Sequence, residues 1–263
     1  MNIAHFSMKH THLLSISIVV HNQAELAQYL LDDISALNNQ SSIEVVFTVN
    51  TDEEILFEPH DYSFPLKIIR NKHPKGYGAN HNHAFKYSHG EFFCVLNPDI
   101  RLIDNPFNVL LDCLKAYGNG VVGPMILNPA GLPENSARLF PTPVSILKKA
   151  IGWHSGLDYA HPKTVLEPDW IGGMFMLFTR ECFEMIQGFD ERYFLYYEDV
   201  DICARLKMAK MPVVQCLDAK AIHDGRGDSH HSLKYLQWHF RSMARFFLSK
   251  GFWKLAVLPR VRS

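Results

Sequence analysis

The chain has 263 residues, a hydrophobic fraction of 47%, a charged fraction of 20% and a net charge of -1 from 26 basic and 27 acidic residues. That size and balance suit one large globular domain or two small ones, and exclude a chain too polar to bury a core. The even charge argues against a nucleic-acid partner, and no run of about 18 uninterrupted apolar residues offers a membrane-spanning helix.

In chain order, residues 1–12 read as a flexible leader. They lack a basic start followed by a long apolar core, so no secretory signal is expected and the cytoplasm is the expected location. LLSISIVV (13–20) is β-rich and predicts the first strand. NQAELAQYLLDDISAL follows with helical spacing, with Asn22 as N-cap and Glu25 three residues on, as in a capping box. IEVVFTVN (43–50) and LKIIRN (66–71) predict two more strands, YGANHNHAFKYSHG a helix closing on Gly90, and EFFCVL (91–96) a fourth strand. Strands alternating with helices imply parallel pairing, which makes the fold class α/β. Ligands of such sheets sit beyond the carboxyl ends of the strands. That rule puts His21-Asn22, Asn50-Thr51-Asp52, Asn71 and Asn97-Pro98-Asp99 on one rim.

Residues 118–168 are rich in proline and read as a loop-built elaboration over the rim. WIGGMFMLFTRECFEMI then predicts an apolar strand and a helix. GFDERYFLYYEDVDICARLKMAK predicts an aromatic stretch and a helix beginning near Glu198, and PVVQCLDAKAIHDGRG a last strand with a polar exit. After Asp228 there is no acidic residue, while Lys234, Arg241, Arg245, Lys250, Lys254, Arg260 and Arg262 are interleaved with aromatic and aliphatic side chains. Residues 229–263 therefore read as a basic amphipathic helical tail, packed on a 13–228 domain or lying at a membrane surface. Five scattered cysteines (Cys94, Cys113, Cys182, Cys203, Cys216) with no Cys-x-x-Cys pair read as buried thiols in a reducing compartment.

Several residue groups carry candidate chemistry. Gly118-Asn119-Gly120-Val121-Val122-Gly123 spells Gly-x-Gly-x-x-Gly, but no strand is predicted before it and Pro124 follows, so it reads as a loop. Gly76-Tyr77-Gly78 lies after a strand and opens a helix, where backbone N–H groups could face a phosphate; a simple glycine turn is the plainer reading. Glu198, Asp199 and Asp201 crowd a helix start behind Phe194–Tyr197. Acids there suit the helix dipole, yet an aromatic approach would limit water and raise one carboxylate towards general-base duty. His223 ends the last strand and with Asp99 could complete a divalent-metal site, or could simply bond to backbone. Oxygen ligands suit magnesium or manganese, and an imidazole tilts the choice to manganese. His81 and His83, two apart on a helix, point to different faces and form no chelate.

Four segments together (SISIVVHN; NKHPKGYGANHNHAF with LNPDI; DWIGGMFMLFTRECFEMIQGFDERYFLYYEDVDICARL; AIHDGRGDS) resemble family 2 glycosyltransferases of the GT-A fold, most closely their bacterial rhamnosyltransferase branch. The resemblance runs from about Ser15 to His231. It implies a Rossmann-like, mostly parallel mixed sheet flanked by helices, and an inverting, metal-dependent enzyme. By resemblance, Asp99 binds the divalent cation (Mn2+ or Mg2+) and His223 completes its shell. Asp199 is the implied general base, with Glu198 as neighbour and fallback. Asn97 stands where many members have a second aspartate. His21, Asn22, Asn50 and Asp52 fall where the nucleotide is held, Asn50 taking part of the role of an Asp-Asn pair. Gly76, Gly78 and Asn82 match the donor-side loop, and Trp170, Gly172 and Gly173 the acceptor wall. dTDP-L-rhamnose is the implied donor, with a UDP-hexose next. The implied acceptor is a saccharide, lipid-linked at the cytoplasmic membrane face, in cell-surface polysaccharide biosynthesis of the O-antigen or capsule kind. Inversion requires Asp99 and Asp199 to face each other across the site. A metal-dependent hydrolase of nucleotide-sugars or phosphoesters is the first rival, and a non-catalytic sugar- or nucleotide-binding domain the second.

Overall fold

The computed structural model describes residues 12–37, 42–153, 156–159, 164–225, 233–249 and 252–253. The leader up to residue 11, the Arg226–His231 stretch, Lys250 and the last basic residues from Lys254 lie outside the described residues. The chain opens with β1 (His12–Val20), α1 (Ala24–Ala36), β2 (Ile43–Val49), β3 (Leu66–Arg70), α2 (Tyr77–Phe85) and β4 (Gly90–Leu96). It continues with β5 (Ile100–Arg101), α3 (Pro106–Tyr117), β6 (Val121–Leu127), β7 (Ala137–Arg138), α4 (Pro143–Ala150), β8 (Val165–Leu166) and β9 (Trp170–Ile171). The last elements are β10 (Phe175–Thr179), α5 (Arg180–Met185), α6 (Glu198–Met208), β11 (Val213–His223) and α7 (Leu233–Leu248).

One mixed sheet runs in the order β3-β2-β1-β4-β10-β6-β11-β5, with β8 on β11; β7 and β9 make a separate ribbon. β1 pairs in parallel with β2 and β4, and β2 with β3, as the alternation predicts. The order reverses between β1 and β4, which is the crevice where ligands of open α/β sheets bind. Side chains alternate across the sheet. Phe92, Cys94 and Leu96 of β4 join α1 and α3 in one core, while Phe93 and Val95 join α5, α6 and Phe246 of α7 in the other. The α7 helix is thus packed on the domain through part of its surface. No described helix is long and apolar enough to cross a membrane.

Several sequence expectations are corrected. Asn22 does not cap α1: it adopts φ 61°, the cap position falls on Gln23, and no side chain of that residue caps the helix. Glu53, from the loop after β2, supplies the acceptors instead. Its carboxylate receives the backbone N–H groups of Asn22, Gln23 and Ala24 at 2.8 to 3.0 Å, a negative charge on the positive end of the helix. Helix α2 stops at Phe85, and Gly90 belongs to β4, because a Cβ there would lie 2.7 Å from the Ser15 backbone nitrogen. The 118–168 stretch is rich in loop, as expected, but the Gly-x-Gly-x-x-Gly string in it is not a loop. The stretch contains the central strand β6, which begins inside that string, and helix α4. Pro124 is tolerated there since its partner β11 is irregular between Cys216 and Lys220. Cys113 of α3 and Cys216 of β11 form a disulfide, so only Cys94, Cys182 and Cys203 are the buried thiols expected of all five. A separation of 103 residues hid that pairing from spacing arguments.

Candidate active site

The exits of β1, β2 and β3 meet around Asn50. Its Oδ1 accepts from Asn71 Nδ2 at 2.8 Å and from the Lys75 backbone at 2.9 Å. Its Nδ2 donates to the Lys75 carbonyl at 3.0 Å and faces His21 Nδ1 at 3.2 Å. Asn71 continues the chain to Asn80, a buried residue of α2. His21 is held towards its neutral form, first by burial and then by the charge of Lys234 on α7, against the pull of Glu53. Asn22 and Asp52 are exposed beside this cluster.

β4 ends at Leu96, and Asn97 N donates to the Met174 carbonyl at 2.9 Å, tying this exit to the segment entering β10. Next, β5 pairs antiparallel with the end of β11, setting Ile100 opposite His223. That register brings Asp99 and His223 together although 124 positions of sequence separate them. His223 Nε2 lies 3.3 Å from Asp99 Oδ2. His223 Nδ1 lies 3.1 Å from Glu134 Oε2, on the loop after β6. The Asp99 hydrogen bond and charge, helped by Glu134, push the imidazole up to about 9 against its partial burial. Asp99 itself is buried, and its Oδ1 has no hydrogen-bond partner among the described residues. A buried carboxylate oxygen without a donor costs free energy unless a ligand meets it. The set of carboxylate and imidazole donors fits manganese or magnesium. A cation at this place competes with the proton on His223 Nε2.

On the other side, α6 begins with Glu198 and Asp199. The two residues before them, Tyr196 and Tyr197, both have φ 68°, a left-handed backbone that bulky side chains rarely adopt. Surrounding bonds hold it: Tyr77 N donates to the Phe194 carbonyl, and Ser242 of α7 donates to the Leu195 carbonyl, each at 2.8 Å. Tyr196 and Tyr197 also pack their rings on His239 of α7. Asp199 Oδ2 accepts from Gly173 N at 3.0 Å and Oδ1 from Val200 N at 2.8 Å. Glu198 is buried, with Oε2 unpartnered. Burial raises both carboxyls; for Glu198 the Asp199 charge adds to it, while two N–H groups and the Arg138 charge oppose it at Asp199. The donors facing Asp199 favour its anion and limit its rise, while burial and the neighbouring charge both raise Glu198. Tyr77 joins the two sides: its hydroxyl lies 2.9 Å from Asn97 Oδ1 and 2.7 Å from the Gly173 carbonyl. Charges of Glu198, Asp199 and Asp99 all act on that phenol, so the carboxylates of both sides surround one centre.

The family model described as glycosyl transferase family 2 matches residues 15–163, and that described as the N-terminal domain of galactosyltransferase matches residues 154–223. The chain belongs to glycosyl transferase family 2. It is 26% identical to the low-salt glycan biosynthesis hexosyltransferase Agl10 of Haloferax volcanii, over 93% of this chain and 78% of that one. It is 25% identical to the rhamnosyltransferase WbbL of Escherichia coli, over 90% of this chain and 94% of that one. It is 31% identical to the N-acetylglucosaminyl-diphospho-decaprenol L-rhamnosyltransferase of Mycobacterium tuberculosis, over 62% of this chain and 58% of that one. In fold it is similar to GalNAc-T7, solved with UDP, GalNAc and Mn2+ (TM-score 0.67, 14% identity, 92% of this chain, 49% of that one). It is also similar to the mannosyltransferase PcManGT of Pyrobaculum calidifontis, solved with GDP-Man and Mn2+ (TM-score 0.59, 15% identity, 92% of this chain, 72% of that one). The expected GT-A architecture and glycosyltransferase class thus hold.

Not every residue singled out in this glycosyltransferase has a surface for ligand. Asn50 turns its oxygen to Asn71 and the Lys75 backbone and its amide to the Lys75 carbonyl and His21, so it braces the rim from inside the protein. Gly76 and Gly78 are buried, and a Cβ on either would meet Phe194 or Phe189 at 2.9 Å or less. They allow α2 to pack against the 189–194 loop and do not open a path to phosphate. Asn82 hooks that same loop by bonding both backbone polar groups of Phe189. Trp170 donates to the Leu139 carbonyl at 2.9 Å, with the Arg138 guanidinium 4.7 Å above its ring. Gly172 donates to the Ser136 carbonyl and Gly173 to Asp199. Sequence reasoning missed Glu134, Arg138, Glu53 and the bridging role of Tyr77. Each lies on a loop, ribbon or helix start whose partner is remote in sequence. His81 is a core residue: buried, bonded to Ser17 and lowered by burial to about 3.

Proposed function

We propose that this protein is an inverting rhamnosyltransferase that moves L-rhamnose from dTDP-L-rhamnose to a saccharide, lipid-linked at the cytoplasmic face of the membrane, in cell-surface polysaccharide assembly. The observation that carries the reading is the pairing of Asp99, with its free buried oxygen beside His223, and Asp199 on the far side of Tyr77. The rhamnosyltransferases among its relatives favour the donor, and a relative whose name specifies a diphospho-decaprenol favours the lipid.

In this reading residues 13–228 are the catalytic domain and Asp199 is the general base. Its carboxylate takes the proton of the acceptor hydroxyl as oxygen attacks the anomeric carbon. The N–H groups of Gly173 and Val200 hold it in place for that transfer. Attack comes from the face opposite the leaving group, which inverts the anomeric configuration. Asp99 and His223 hold a manganese or magnesium ion, which when bound neutralises the charge growing on the departing diphosphate. Glu134 accepts from His223 Nδ1 and so turns Nε2 towards Asp99. Asn97, fixed by Tyr77 through its Oδ1, turns its amide nitrogen to the donor. His21, Asn22 and Asp52 border the nucleotide, and the ribbon of Trp170 with Gly172 and Gly173 borders the acceptor. The basic α7 lies on the membrane.

The test is a panel of nucleotide-sugars, each with and without manganese, read by thermal shift. A manganese-dependent rise with dTDP-L-rhamnose is expected. A rise only with a UDP-hexose would replace the donor, and free sugar released without any acceptor would replace transfer by hydrolysis.

A further inference from the structure

In the segment from Glu134 to Asp158, a neck at the two ends and a tip between them differ in chemistry. The neck is pinned by polar bonds. Asn135 Nδ2 donates to the Gly156 carbonyl at 3.2 Å, and Asp158 N donates to Asn135 Oδ1 at 3.1 Å. Leu139 N donates to Asp158 and Phe140 N to Asp169, at 3.1 and 2.8 Å. Thr142 and Ser145 then exchange bonds between backbone and hydroxyl, and Pro143 starts α4 with a preset φ.

The tip is α4 and the turn after it. Val144, Leu147 and Ile151 recur at helical spacing and are all exposed, Leu147 to 63%. Trp153 follows at 78% exposure, its N–H donating to the Lys148 carbonyl. Lys148 is exposed beside them. Between Glu134 and Asp158 the sequence contains Arg138, Lys148 and Lys149 and no acid. Acids thus hold the neck, while the charged residues of the tip are all cationic and its exposed side chains are largely apolar. An uncovered apolar stripe marks a contact surface, and a tryptophan flanked by lysines complements an anionic bilayer surface in both polarity and charge. The outer side of α7 has the same character, with Leu233, Leu236, Phe240 and Leu248 exposed and no acid in the helix. The two meet the site at one place: the charge of Arg138, at the neck, acts on Asp199 and on His239 of α7.

We propose that α4 with Trp153 is a second contact with an anionic lipid surface, which together with α7 turns the acceptor side of the site towards the bilayer. The proposal rests on the reading of a lipid-linked acceptor, but its test needs neither donor nor acceptor. The whole protein is mixed with vesicles of phosphatidylcholine alone, or of phosphatidylcholine with phosphatidylglycerol, and sedimented. Three forms are compared: the parent, Leu147→Asp with Ile151→Asp, and Leu236→Asp with Phe240→Asp. Binding selective for the phosphatidylglycerol vesicles is expected, lowered by roughly tenfold in the α4 variant. A far-ultraviolet circular dichroism spectrum and a thermal unfolding midpoint unchanged in that variant show that it is folded. The proposal is overturned if the parent ignores both vesicles or if the α4 variant binds as the parent does. It is overturned as well if light scattering shows a parent dimer that the α4 substitutions dissociate, since the stripe then belongs to a second copy. Loss of the donor shift in the parent leaves the vesicle result standing and refutes only the donor assignment.

Discussion

The two halves of the rim use their polar groups in opposite ways. Around Asn50, Asn71, Asn80 and Glu53 the amide and carboxylate groups bond one another or nearby backbone. Around Asp99, Glu198 and Arg138, buried polar atoms lack hydrogen-bond partners among the described residues: Asp99 Oδ1, Glu198 Oε2 and Arg138 Nε. The backbone on this second side also turns left-handed at two successive bulky residues, Tyr196 and Tyr197, whereas on the first side Asn22 does so singly. A satisfied network rigidifies a fold, whereas an unsatisfied buried atom is a cost that persists where a ligand or a reaction meets it. The Asn50 network is therefore scaffold, and the second half is where chemistry is expected.

Substitutions should separate the two. Asp199→Asn removes the proton acceptor and retains an acceptor oxygen towards Gly173. Transfer is expected to fall on the order of 10³-fold in kcat, with donor affinity unchanged. A parental rate in that variant sinks the assignment of the base. Asp99→Ala should weaken manganese-dependent donor binding by about a hundredfold, measured by calorimetry with and without the ion. Equal affinity in both conditions would remove Asp99 from the cation shell. Asn50→Ala, on the scaffold side, should act on stability instead. It strips partners from Asn71 and the Lys75 backbone and is expected to lower unfolding free energy by about 2–3 kcal/mol, read by denaturant titration. A large loss of donor affinity at parental stability would mean that Asn50 touches the nucleotide after all.

That contrast explains how much of the molecule was legible in its sequence. Short β-rich apolar runs and their alternation with helices gave the parallel half of the sheet, since both are local signals. β6 was hidden because Gly123 and Pro124 look like loop residues, and only the irregularity of β11 opposite makes them tolerable. The carboxylates and His223 stood out by residue type at strand and helix ends. Their partners did not. Glu134, Arg138 and Glu53 act across gaps that only the β5–β11 register, the β7–β9 ribbon and the return of the loop after β2 close. Gly76 and Gly78 were misleading for the same reason, because the Phe189–Phe194 loop that demands them lies more than a hundred residues away.

The smallest expected effect concerns Arg138, which stacks on Trp170 while its charge opposes the burial of Asp199. Burial holds the Asp199 carboxyl above its ordinary value, and the N–H groups of Gly173 and Val200 with Arg138 limit that rise. A general base works only when deprotonated, so the transfer rate is lost as pH falls through this raised value, and the acid limb of kcat lies above the usual aspartate range. Arg138→Gln deletes one of the groups that favour the anion. Asp199 should then hold its proton to higher pH, and the acid limb should move upwards, with the plateau rate changed by roughly threefold or less. Arg138→Lys keeps the charge and should leave the limb near its parental place. The profiles are taken at saturating manganese, so that protonation of His223 does not set the limb. If glutamine lowers the plateau and leaves the limb unmoved, Arg138 serves only to hold Trp170, and the electrostatic contrast between the two halves of the rim rests on the orphaned carboxylates alone.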